Sequence, residues 1–223
     1  MSKDQKDYWE KKIVCWEDTI YSQKKSLKSS ILEKAASRFR GILKKRMSVA
    51  ESLIAPHLKG KIVMDLGCGS AVLIQKLIKY KPKQIIGIDI AEPAIELAKN
   101  KFKDFKAAKA IKFICADVRK DQKILKGAEI VIGVGFIDYF NSEELLKLLK
   151  NLNNKKFLLS FPEKIISSRE ILHKIYLNLA SCPGSYKYSK EEMDSLLKRA
   201  GIKTWWYYDK ENIRFVTNLP EPD

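Results

Sequence analysis

Two closely spaced glycines, with carboxylates set around them, are the residues of this chain best suited to holding a ligand. They lie in Val63-Met64-Asp65-Leu66-Gly67-Cys68-Gly69-Ser70, between a short apolar run and an amphipathic stretch. Glycine at 67 and 69 permits a tight turn and lets backbone N–H groups approach a bound molecule. Asp89 ends the next apolar run, twenty residues after Gly69, and Asp117 follows the third in Cys115-Ala116-Asp117-Val118. Acids at successive strand ends converge on one crevice, and the spacing of Asp89 aims its carboxylate at the place of a ribose. The same carboxylates also suit caps of the turns and helices that follow them. Their joint placement favours ligand contact. The turn Gly67-Cys68-Gly69-Ser70-Ala71-Val72 has no third glycine, Asp65 precedes it, and no Gly-Lys-Ser/Thr follows. A pyrophosphate is disfavoured on all three counts. A molecule with an adenosine and a cationic amino-acid tail fits them.

The elements that must position these residues are legible as apolar runs alternating with helical spacing. Ile62–Leu66, Gln84–Asp89, Ile111–Cys115, Glu129–Gly133 and Phe157–Phe161 read as strands. Ala71–Tyr80, Glu92–Phe102 and Ser142–Asn151 read as the helices between them. Such alternation predicts a doubly wound, mostly parallel α/β sheet with right-handed crossovers. A helix over Lys190–Ala200 stops at Gly201, and the runs Ile202–Tyr208 and Ile213–Asn218 predict a closing antiparallel hairpin. Residues 1–58 form a helical lead-in that can act as a lid. Within it Ile31, Leu32, Ala35, Phe39, Ile42 and Leu43 share one helical face, and Met47, Ala50, Leu53 and Ile54 share that of a second helix closed by Pro56. Residues 59–223 make the ligand-binding domain, with an insertion at 163–189 too long for an ordinary connection.

Residues 61 to about 140 resemble the class I S-adenosylmethionine-dependent methyltransferases, through Asp65-Leu66-Gly67-Cys68-Gly69, Asp89 and Asp117. The order of elements, closing hairpin included, is similar to that family's seven-stranded Rossmann-like sheet. The resemblance implies S-adenosyl-L-methionine as cofactor. It implies that Asp65, Gly67, Cys68 and Gly69 surround the methionine moiety, and that Asp89 and Ile90 meet the ribose. By the same resemblance Asp117 and Val118 flank adenine, Gly133 lies beside the methyl donor, and Tyr21 covers the site from the lead-in. Gly133 and Gly87 also suit close packing, and Cys68 suits turn filler.

The segment Gly133–Phe140 holds Asp138 and Tyr139 but no Asn/Asp-Pro-Pro-Tyr/Phe, the sequence with which nucleic-acid N-methyltransferases hold an amino group. More loosely, this segment, Ser160-Phe161-Pro162, Cys182-Pro183 and Tyr186–Tyr188 resemble a small-molecule O-methyltransferase branch, magnesium-protoporphyrin methyltransferase-like and sugar-modifying. That resemblance implies in-line transfer to an oxygen of a small acceptor, with Asp138, Tyr139 and His173 as catalytic candidates. His173, with Ile171, Leu172 and Ile175 around it, also suits a half-buried structural role. The insertion offers Arg169, His173, Tyr176, Tyr186 and Tyr188 as a wall for a polar or anionic acceptor. Arg46 can neutralise an acidic acceptor, although a solvated helix face is the plainer reading. An RNA methyltransferase and a non-catalytic adenosylmethionine-binding scaffold are the alternatives.

Composition bounds these readings. The net charge is +16, but only seven of the 43 basic residues are arginine and the lysines are scattered, which argues against nucleic acid as partner. Four separated cysteines and two histidines leave no zinc-type spacing and no metal site. No apolar run approaches the roughly 18 residues of a membrane span. The charged start lacks a signal-peptide core, so a cytoplasmic protein is expected.

Overall fold

A computed structural model describes residues 5–11, 13, 31–105, 108–161, 186–210 and 213–221. The strands are β1 (Ile62–Leu66), β2 (Gln84–Asp89), β3 (Ile111–Cys115), β4 (Ile130–Gly133), β5 (Lys156–Ser160), β6 (Trp206–Lys210) and β7 (Ile213–Thr217). They form one sheet in the order β3-β2-β1-β4-β5-β7-β6. β1 pairs in parallel with β2 and β4, β2 with β3, and β4 with β5. Only β7 runs against its neighbours β5 and β6. The doubly wound sheet with its antiparallel end is the architecture expected from the sequence.

The central strands are apolar on both faces because both are covered. Along β1, Met64 and Leu66 enter one core while Val63 enters the other. β4 and β5 alternate the same way, with Val131, Phe157 and Leu159 against Ile130, Ile132 and Leu158. Helices α4 (Ser142–Leu152) and α5 (Lys190–Arg199) cover the first face through Leu145, Leu148, Leu149, Met193 and Leu197. Helices α1 (Ile31–Ile54), α2 (Val72–Leu77) and α3 (Glu92–Phe102) cover the second through Ala50, Ile54, Ile74, Leu77, Ile95 and Phe102. Capping boxes start the first-face pair, Asn141 with Glu144 and Ser189 with Glu192. Each satisfies two otherwise orphaned backbone donors.

Two local expectations are corrected. The two expected lead-in helices are one 24-residue helix, α1, which passes through Gly41 and ends in a 3-10 turn over Ala55–His57. No proline interrupts it before Pro56, and one interior glycine costs only about 1 kcal/mol. The first arm of the hairpin starts at Trp206 rather than Ile202. Gly201 turns the chain at φ 81° and the Ile202 N–H bonds back to the Leu197 carbonyl at 3.1 Å, so these residues finish α5 instead. The indole of Trp205 and the phenol of Tyr207 both donate to Asp194, at 2.7 and 2.6 Å. These two rings thereby pack the closing strands against α5. No helix among the described residues is long and apolar enough to cross a membrane.

Candidate functional site

The crevice lies at the carboxyl ends of the parallel strands, where the β1–α2 turn crosses the end of β2. Gly67 and Gly69 take φ values of 68° and 52°. The N–H groups of Gly67 and Cys68 both donate to the Ile88 carbonyl, at 2.8 and 3.0 Å. A Cβ on Gly67 would stand 3.0 Å from the Phe136 ring. Glycine is therefore demanded here both by backbone conformation and by close approach. Asp89 pins the turn from β2: its carboxylate accepts from Gly69 N at 2.9 Å and from Ala91 N at 3.0 Å.

These residues border a cavity whose wall includes Gly67, Cys68, Gly69, Asp89 and Ile90 from the first two strand ends. Asp117, Val118 and Arg119 supply the wall beyond β3, and Val134, Gly135, Phe136 and Tyr139 that beyond β4. So the structure brings seven of the proposed cofactor residues to one place. The Cys68 thiol packs against Gly87, whose Cβ would lie 2.9 Å from its sulfur. Cys68 thus borders the cavity while its side chain fills the turn.

Two proposed residues stand behind the wall. Asp65 is buried and its Oδ2 has no hydrogen-bond partner among the described residues. Burial, with the nearby Asp89 charge adding to it, pushes its carboxyl up to about 8. The pleat explains the position, since residue 65 points to the covered face shared with Val63. Gly133 packs against Leu159 and Phe136, at 3.0 and 3.4 Å from a built Cβ, and lies off the cavity wall. Tyr21, His173 and residues 162–185 of the insertion lie outside the described residues.

Asp117 does not stand alone. Arg119 donates to it through Nε at 2.9 Å and Nη2 at 2.9 Å, and its Nη1 donates to Gln5 Oε1 at 2.6 Å. Burial works to raise the Asp117 carboxyl, but these Arg119 bonds outweigh it and hold it below the usual range. Gln5 in turn donates to the Tyr139 carbonyl at 3.2 Å, and Trp9 stacks edge-on against the Tyr139 ring at 5.7 Å. Ile13 packs on Ala91 and Ala94. Gln5, Trp9 and Ile13 are spaced by four residues, one helical face, and all three line the cavity. Sequence reasoning passed over this stripe because the segment's charge dominates it.

The β4 side carries Tyr139 on the wall and Asp138 behind it. Asp138 Oδ1 is buried with no partner among the described residues, and burial lifts its carboxyl to about 6 even though the Arg46 charge pulls it down. Arg46 itself lines the cavity from α1, its Nε buried and unpartnered among the described residues. A Cβ on Gly135 would sit 3.7 Å from its Nη1, and the Gly135 N–H donates to Ser160 Oγ at 2.7 Å. Arg46 is thus part of the cavity and not of a solvated face. Tyr188, expected in an acceptor wall, is buried in the core with its hydroxyl donating to the Phe140 carbonyl at 2.5 Å. Tyr186 is exposed, and its N–H donates to the Asp138 carbonyl at 2.6 Å.

A glycine turn clamped by the β2 acid, under a sheet of this order, agrees with the class I S-adenosylmethionine-dependent methyltransferases, and the relatives of the chain support that class. Residues 63–155 match the family model described as a methyltransferase domain. A carboxy-S-adenosyl-L-methionine synthase of Sulfurimonas denitrificans is 29% identical over 170 residues, 71% of this chain and 68% of that protein. A malonyl-[acyl-carrier protein] O-methyltransferase of Priestia megaterium is 28% identical over 148 residues, 62% of this chain and 52% of that protein. Among solved structures, the magnesium protoporphyrin IX methyltransferase of Synechocystis with bound S-adenosylhomocysteine superposes with a TM-score of 0.69. It is 20% identical and covers 95% of both chains, a likeness of fold.

The cavity fits S-adenosylmethionine, the cofactor of this class. The glycine turn offers close backbone, and Asp89 ends the ribose-side strand.

Proposed function

We propose that the protein transfers the methyl group of S-adenosylmethionine to an oxygen of a small anionic acceptor. The observation that carries the acceptor class is Arg46, a guanidinium in the cavity wall whose Nε finds no partner among the described residues. Asp117 and Arg119 satisfy each other, which leaves Arg46 as the wall cation available to a second ligand among the described residues. The names of the relatives, a malonyl-carrier methyltransferase among them, agree with a small acidic acceptor.

Bound adenosylmethionine supplies a methyl group on a positively charged sulfur, already electrophilic. The chain's own task is alignment and exclusion of water. Gly67–Gly69 and Asp89 fix one end of the cavity, and Asp117 with Val118 fixes the adenine side. Gln5, Trp9 and Ile13 cover it, Tyr139 faces the acceptor side, and Arg46 holds the acceptor's anion. Asp138 acts through Arg46, as the countercharge that positions it. A carboxylate acceptor needs no base at neutral pH, and a phenol or alcohol does.

Methyl transfer from labelled cofactor, run against carboxylated metabolites, their amides, hydroxylated metabolites and bulk RNA, tests the proposal. Label in the carboxylates and not in the amides is the expected result. Label confined to RNA, or cofactor binding with no transfer to any acceptor, would overturn it.

A further inference from the structure

A second recess lies at the opposite edge of the sheet, formed where the parallel strands begin. Its wall contains Lys59, Lys61, Lys155, Lys156 and Lys203, with His57 among them and Glu129 as the one acid. Lys61 and the Ile62 N–H already occupy Glu129, at 2.8 and 3.0 Å. Lys155 and Lys156 each give one ammonium hydrogen to a backbone carbonyl, Ala128 and Asn218, at 3.0 Å, with no carboxylate partner for either among the described residues. No arginine and no aromatic ring lines the recess. Lysines scattered through the sequence are thereby collected by the fold: the chain enters β1 and β5 through them and leaves α5 through Lys203.

We infer that this recess binds the phosphodiester backbone of a single-stranded nucleic acid. Compact ammonium groups suit phosphates, and base reading would call for arginine forks or stacking rings. The recess is large, about 1030 Å³. A flexible strand can follow such a recess between loops, whereas a duplex, stiff over about 150 base pairs, cannot bend into it. A strand held here lies across the sheet from the methyl-donor cavity. It docks the enzyme and is not the acceptor, so this inference stands apart from the proposed reaction.

The test is fluorescence anisotropy of a short labelled oligouridylate across a salt series. Four lysines without a carboxylate partner give an expected log–log salt slope of about −3, from roughly 0.7 per neutralised phosphate. The exposed pair Lys59→Gln with Lys203→Gln is expected to reduce that slope by about 1.4. The pair Lys112→Gln with Lys147→Gln, exposed elsewhere, changes net charge equally and is expected to leave the slope nearer that of the parent. In the free protein, burial and then the Lys156 charge hold the His57 imidazole below its usual range. Lys59, Lys61, Lys155, Lys203 and Glu129 are the other charges of the recess. A bound phosphate chain must therefore raise the His57 titration midpoint, read by NMR. Equal loss of binding in both variant pairs, or an unmoved His57, would overturn the inference. So would inorganic tripolyphosphate occupying the recess where the oligouridylate cannot displace it.

Discussion

Arg119 and Asp117, two residues apart, face each other across a turn as a bidentate ion pair that also reaches Gln5. Both donor contacts to the carboxylate measure 2.9 Å and the contact to Gln5 measures 2.6 Å. The adenine side of the cavity and its helical cover are therefore one hydrogen-bonded unit. Hydrogen bonds to charged groups contribute about 1.5–3 kcal/mol each way of counting. Arg119→Ala should expose residues 5–13 to faster amide exchange and weaken cofactor binding by about tenfold or more, as 1.4 kcal/mol is a factor of ten. Unchanged exchange in that segment would show that Arg119 does not hold the cover.

The same pair has a pH signature. The Asp117 carboxyl is held below its ordinary value in the folded chain, so its contribution is present above the unfolded value and lost as pH falls through the folded one. Asp117→Asn should accordingly flatten the acid limb of the stability curve, measured by urea unfolding between pH 3 and 6 (roughly the carboxylate range). A parallel displacement of both curves would contradict this.

Asp65 has the opposite sign. With its carboxyl raised to about 8, the folded protein keeps a proton that the unfolded chain releases near the ordinary carboxylate value. The ligand-free protein should lose stability as pH rises from about 4 to 8, and Asp65→Asn should remove that loss. Urea unfolding of the parent and of Asp65→Asn between about pH 4 and 8 checks this, and parallel curves would contradict it.

Gly67→Ala combines a positive φ of 68° with a new Cβ 3.0 Å from Phe136. Left-handed backbone costs a non-glycine residue about 1–2 kcal/mol, and overpacking about 1–3 kcal/mol more. The variant should unfold at lower urea and bind cofactor weakly. Gly60→Ala, also at positive φ but with open space at its Cβ, should show the backbone cost alone.

How much of this was legible beforehand follows from the range of each interaction. The turn, Asp89 and Asp117 are marked by local spacing within strand–turn–helix units, and the fold places them at one crevice. β2 and α3 start and stop where the apolar run and the helical spacing say they should. Gln5 and Trp9 could not be found that way, and for Arg46 the solvated face was the plainer reading, since α1 and residues 5–13 reach the crevice only through long-range packing. Asp65 was placed by the motif in the ligand's path, yet strand pleat turns its carboxylate to the covered face. Arg119 carried a readable signal, a fork-shaped cation two residues after an acid at a strand end. Tyr188 read as a site residue, but its neighbour in space is the Phe140 carbonyl, invisible in sequence.

The central claim is that the Gly67–Gly69 turn and Asp89 hold adenosylmethionine and not a dinucleotide. Titration calorimetry of the purified chain with adenosylmethionine, its demethylated product and NAD tests this most directly. Binding of the first two, no heat with NAD, and a loss of about 1.5–3 kcal/mol in Asp89→Ala are predicted, the size of a hydrogen bond to a charged group. Binding of NAD alone, or full adenosylmethionine affinity in Asp89→Ala, would contradict it.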